Sequence, residues 1–242
     1  MLFMFGTLLL ATIALGKPDL AKVHRVVTMG DSITDAGKGP KGYVTLMDAT
    51  LDATRPNDPF ETINVGIGGQ KAPDMLGRFQ RDVIDKKPDL VTISVGVNDV
   101  WHDFRDFGKN QRVPTGDIGR GVKLPEYLKG VEGMIDMAKA AGAQVVLVSP
   151  TLIYEDLDCL ENRRLTAYVR AEESLAKRKG VGFVDLNRIF RETVAAYQKN
   201  AGRRQLLLTV DGVHMNDAGN ALMADSILRY LGVAVPDNVA PK

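Results

Sequence analysis

Three residues of this chain have the types to act together as nucleophile, base and orienting group: Ser32, His214 and Asp211. The apolar run Val26-Val27-Thr28-Met29 ends abruptly in the small polar turn Gly30-Asp31-Ser32, which is how a parallel sheet presents a nucleophile. The turn alone is ambiguous, because Gly-Asp-Ser is ordinary loop chemistry and Ser32 would equally cap the next helix. A serine hydroxyl needs a base to take its proton, and the base needs an orienting group. Asp211-Gly212-Val213-His214 supplies a carboxylate and an imidazole in one short turn. Of the three histidines, His24, His102 and His214, the last two follow Asp-x-x, and only His214 does so near the C-terminus. Imidazole is the side chain suited to exchanging protons near neutral pH.

An acyl transfer also develops negative charge on the carbonyl oxygen, which hydrogen-bond donors must meet. Asn64-Val65-Gly66-Ile67-Gly68-Gly69 and Gly96-Val97-Asn98-Asp99 each follow a β-branched run. The glycine pair reads as a turn needing positive φ, and the same geometry lets a bare backbone N–H approach an oxyanion closely. Asn98 reads either as a turn residue or as an uncharged amide donor. Three other chemistries fit less well. Gly37-Lys38-Gly39-Pro40-Lys41-Gly42 matches a dinucleotide-binding pattern, but it starts well after the strand and carries a proline. Asp211 and His214 lack the further histidines that a zinc site needs. The nucleophile turn of an α/β-hydrolase ends in glycine where this chain has Thr34.

Taken as an ordered set, these blocks resemble the SGNH/GDSL hydrolases from about Val26 to Leu231. The resemblance implies Ser32, Asp211 and His214 as catalytic triad and Ser32, Gly69 and Asn98 as oxyanion hole. It implies a serine esterase that works through an acyl-enzyme, with no cofactor and no metal. The family includes lysophospholipases, thioesterases and carbohydrate acetylesterases. An acyltransferase using the same triad and a non-catalytic glycan- or lipid-binding module are the alternatives, though every catalytic position is intact.

The elements that must hold these residues read as an alternation. Arg25 to Met29, Thr62 to Val65, Leu90 to Val95, Gln144 to Val148 and Gly182 to Leu186 have the pattern of strands. Helical patterns run near Tyr43 to Ala53, Pro73 to Asp85, Pro125 to Ala141, Leu160 to Lys179, Arg188 to Asn200 and Asp217 to Leu231. This predicts an α/β fold, three-layer α/β/α, with a five-stranded parallel sheet in a flavodoxin-like arrangement. Ser32, Gly69 and Asn98 then all fall beyond the carboxyl ends of strands, where such sheets bind ligands. Val100 to Lys123 lacks periodicity, and its position makes it a candidate substrate wall, with Trp101 and Phe104 as substrate-binding residues. Its aromatic side chains alternate with charges, which suits a sugar ring better than an alkyl chain. A short acyl group on a polar alcohol is therefore the expected substrate.

The 242 residues, 45% of them hydrophobic, fit a single domain with a substantial core. A balance of 31 basic and 30 acidic side chains, without a basic stripe, argues against a nucleic-acid partner. Cys159 is the only cysteine, so no internal disulfide forms. Leu2 to Leu15 carries no charge and leads to Ala14-Leu15-Gly16 before Lys17, so residues 1–16 read as an export signal and 17–242 as the domain. The segment is short for a bilayer span, so no stable membrane insertion is expected after cleavage; a retained anchor is the alternative, since the n-region lacks Lys and Arg. A small-molecule or glycan ester is the expected partner, with the oligomeric state left open.

Overall fold

The computed structural model describes residues 16–201 and 206–235; the apolar stretch from Leu2 to Leu15 lies outside them. Five parallel strands form one sheet: β1 (Arg25–Met29), β2 (Glu61–Asn64), β3 (Leu90–Ser94), β6 (Gln144–Val148) and β7 (Gly182–Val184). Their order is β2-β1-β3-β6-β7. Between them run α2 (Tyr43–Thr54), α3 (Ala72–Asp82), α5 (Leu124–Ala140) and α6 (Leu160–Lys179), followed by α7 (Leu186–Ala201) and α8 (Asp217–Leu231). Helices α3, α5 and α6 pack in a row, while α2 packs on α8. Central strand β3 is buried from Leu90 to Ile93, as expected of a strand covered on both faces. The three-layer α/β/α reading is therefore correct.

Strand β1 lies beside β3, with Val27 opposite Val91. The chain leaves β1 toward α2 and leaves β3 toward α5, in the two different helix rows. A crevice opens beyond the carboxyl ends of strands whose connections diverge in this way. Ser32 follows β1 and Asn98 follows β3, so the two residues flank that crevice.

The differences from the sequence expectations are local. The last strand stops at Val184 because Asp185 caps the next helix, accepting from the Arg188 N–H at 2.9 Å, and Leu186 already belongs to α7. The second helical pattern, Pro73 to Asp85, splits into α3 and a 3₁₀ turn at Ile84–Lys86. Two one-turn helices were not anticipated: α1 (Ser32–Ala36) and α4 (Val97–Trp101). The aperiodic stretch after α4 holds a 3₁₀ turn, His102–Phe104, and a two-strand hairpin of β4 (Arg105–Asp106) and β5 (Gln111–Arg112).

Candidate active site

The nucleophile turn is set by close packing behind Ser32. A side chain at Gly30 would collide with Thr34 Oγ1, which shares a 2.8 Å hydrogen bond with the Tyr43 hydroxyl. Buried Asp31 caps α1, its Oδ1 accepting from the Ile33 N–H at 2.9 Å. Ser32 thus becomes the first residue of α1, and helix geometry leaves its N–H without an internal acceptor.

The Asp211–His214 turn approaches from the other side of the crevice. His214 Nε2 lies 2.9 Å from Ser32 Oγ, and His214 Nδ1 lies 2.7 Å from Asp211 Oδ2. The other Asp211 oxygen accepts from the Val213 and His214 backbone N–H groups at 2.9 and 2.8 Å. Partial burial pushes the Asp211 carboxyl up, but these bonds outweigh it and hold the carboxyl below its usual range. An ionised carboxylate on Nδ1 leaves Nε2 free to accept the serine proton. The three sequence-predicted residues, separated by up to 182 positions, form one continuous relay.

The two neighbouring loops bring the sequence-predicted Gly69 and Asn98 toward Ser32. Strand pairing continues past β2, the Ile67 N–H donating to Gly30 O at 3.1 Å, and this carries the glycine pair over the nucleophile. A Cβ on Gly68 would lie only 3.7 Å from that of Ser32. Gly69 has φ +77°, a left-handed conformation that disfavours other residues. Its N–H, like that of Ser32, has no acceptor among the described residues. Buried Asn98 donates one Nδ2 proton to Gln70 O at 3.0 Å, which fixes the amide and leaves its second proton unspent.

Three positioning residues escaped the sequence reading. Arg78 on α3 is 7% exposed and reaches both loops, donating to Gly30 O at 3.3 Å, Val65 O at 2.7 Å and Gln70 Oε1 at 2.5 Å, with Asp82 as its counter-ion. Glu155 is buried and accepts from the Leu207, Leu208 and Thr209 N–H groups, pinning the strand-like approach to Asp211. Tyr154 takes φ +57°, donates its N–H to Gly212 O at 2.6 Å and accepts from Trp101 Nε1–H at 3.1 Å. It thereby ties α4 to the acid–base turn. A tyrosine in left-handed backbone is uncommon and is held here by both contacts. Only an arginine on the apolar stripe of α3, between Met75 and Phe79, hinted at any of this.

Of the two aromatic residues expected to touch substrate, one does not line the crevice. Phe104 is 1% exposed, packed under the Arg164 guanidinium and against Gly116, because the 3₁₀ turn rotates it into the core. Trp101 is half-buried, edge-on to Phe107 at 5.4 Å. Phe107, 46% exposed, is the ring that the excursion presents to solvent.

The model of the GDSL-like lipase/acylhydrolase family matches residues 28–222. The chain belongs to this family. It is 29% identical to an acetylxylan esterase of Geobacillus stearothermophilus over 86% of this chain and 94% of the relative. Variants of that enzyme described as catalytic mutants replace a serine, an aspartate and a histidine, the last two with the spacing of Asp211 and His214. The crystal structure of the acetyl xylan esterase AlAXEase superposes with a TM-score of 0.74 at 31% identity, covering 85% of this chain and 98% of that one. A segment of 81 residues is 40% identical to an uncharacterized lipoprotein of Bacillus subtilis, covering 31% of each chain. This chain is a carboxylic ester hydrolase of the SGNH type.

Proposed function

We propose that the chain removes acetyl groups from the hydroxyls of carbohydrates, as an exported esterase with its catalytic domain in residues 17–242. Ser32 Oγ attacks the acetyl carbon while His214 Nε2 takes its proton, and Asp211 stabilises the imidazolium. The Ser32 and Gly69 N–H groups and the Asn98 amide meet the oxyanion. His214 then protonates the departing sugar hydroxyl, leaving an acetyl-enzyme, and a water activated by the same imidazole releases acetate. The observation that carries this reading is the Ser32–His214–Asp211 relay at 2.9 and 2.7 Å, set beside two backbone N–H groups with no acceptor of their own among the described residues. Kinship to two acetylxylan esterases supports the acetyl sugar as substrate. Trp101 and Phe107 offer aromatic faces edged by polar groups, which suit a pyranose better than an alkyl chain. The lipoprotein relative favours export, and no helix among the described residues is long and apolar enough to cross a membrane.

The test is kcat/KM across p-nitrophenyl acetate, butyrate, octanoate and palmitate, together with acetate release from acetylated xylooligosaccharides. Highest efficiency with acetate and release from the oligosaccharides is expected. Each buried CH₂ adds about 0.8 kcal/mol to a site that accepts long chains. A rise in kcat/KM beyond octanoate would therefore mark a long-chain acyl hydrolase instead.

A further inference from the structure

A second cavity, of about 420 Å³, lies beside the oxyanion loops and is lined by Lys71, Asp74, His102, Arg120 and Glu126. Its position follows from the chain. Lys71 comes two residues after Gly69, and His102 comes one helical turn after Asn98, on the same side of α4. The edge-to-face cluster of Trp101, Phe107 and His102 forms a ridge whose one end reaches Tyr154 and the acid–base turn, and whose other end is a wall of this cavity.

The walls are built rather than loose. Buried Asp103 accepts from the Arg120 and Gly121 N–H groups at 3.0 and 2.9 Å, and the Val122 N–H donates to Asp99 O at 2.8 Å. Asp99 Oδ1 accepts in turn from the Ala72 N–H at 3.0 Å, at the start of the helix that carries Asp74. Both sides of the cavity are thus fixed to the segment that bears Asn98. Preorganisation of this kind lowers the ordering cost of binding.

The polar groups that face the space are mostly unengaged. The Lys71 ammonium reaches only Arg120 O, at 3.2 Å, and no carboxylate among the described residues pairs with it. The nearest carboxylate to the Arg120 guanidinium is Asp106, at 4.0 Å. Glu126 has no ion-pair partner among the described residues. Burial first, and the Lys71 charge second, push the His102 imidazole down to about 4, so at working pH it offers one donor and one acceptor. Two carboxylates oppose an anionic ligand, and four charged groups oppose an alkyl chain. Donors and acceptors interleaved beside an aromatic ridge match the paired hydroxyls of a neutral sugar, and the volume falls within the range of small-ligand sites.

We propose that this cavity is a glycan subsite that holds the sugar next to the acetylated one. The inference rests on the acetyl-sugar reading above. It makes the enzyme selective for oligosaccharides over single sugars.

The experiment compares kcat/KM for O-acetylated xylotriose with that for an O-acetylated methyl xyloside, in wild type, Glu126→Gln and Arg120→Met. Both positions are solvent-exposed, so the variants should fold, and thermal melts check it. Wild type should favour the trisaccharide at least tenfold, and each variant should lower that ratio about three- to tenfold, the worth of one or two hydrogen bonds. An equal ratio in wild type and both variants, or no chain-length preference in wild type, overturns the subsite while leaving deacetylation intact. Wild type that cleaves p-nitrophenyl acetate but neither sugar ester overturns the acetyl-sugar reading and the subsite with it.

Discussion

Asn98 and Asp99 are neighbours in the sequence with opposite electrostatic assignments. With the Asn98 amide proposed to meet charge that exists mainly in the transition state, Asn98→Ala should lower kcat by about a hundredfold to a thousandfold with KM nearly unchanged. Steady-state kinetics on p-nitrophenyl acetate decides it: equal kcat would reduce Asn98 to a turn residue. Asp99 carries the opposite burden. Its Oδ2 is buried without a hydrogen-bond partner among the described residues, and burial, with the Asp31 charge nearby, pushes its carboxyl up to about 7. A raised carboxyl favours the folded state fully below its ordinary value near 4, and that contribution is lost as pH rises through about 7. Asp99→Asn removes this titration. Relative to wild type, the variant should melt higher at pH 8 than at pH 4. The same melting offset at both pH values would contradict the assignment.

At the scale of elements, the crevice is assembled by cross-links between loops that follow different strands. Arg78 is the strongest of them, joining the turn after β1 to the loop after β2 from a helix that packs beneath both. Arg78→Met would leave the Gly30, Val65 and Gln70 oxygens without their shared donor, while Asp82 keeps Arg81 as its partner, and should destabilise the fold by about 1–3 kcal/mol. Arg78→Lys should rescue little, because an ammonium cannot span three acceptors in a plane. Denaturant melts of both variants measure this, and a lysine variant as stable as wild type would show that charge alone matters. The sequence revealed the parallel elements because apolar periodicity is local, and it revealed Ser32, Gly69 and Asn98 because each follows a strand. It could not reveal Tyr154 or Glu155, whose partners at Gly212 and Leu207–Thr209 lie more than 50 residues away. Phe104 was misread for a related reason: a one-turn 3₁₀ segment has no period to show which side faces the core.

For the whole molecule, the five-stranded sheet converts distance in sequence into contact at one edge. The relay closes only when β1, the last helix and the segment pinned by Glu155 are all in place, so activity should report on global folding. Ser32 sits on a surface turn, so Ser32→Ala removes one oxygen without disturbing the packing of Gly30 on Thr34. The most direct measurement is acetate released from acetylated xylooligosaccharides by wild type and Ser32→Ala, at matched thermal stability. Wild type should release acetate, with the variant reduced by up to about a millionfold. A Ser32→Ala protein that deacetylates at the wild-type rate would contradict the account.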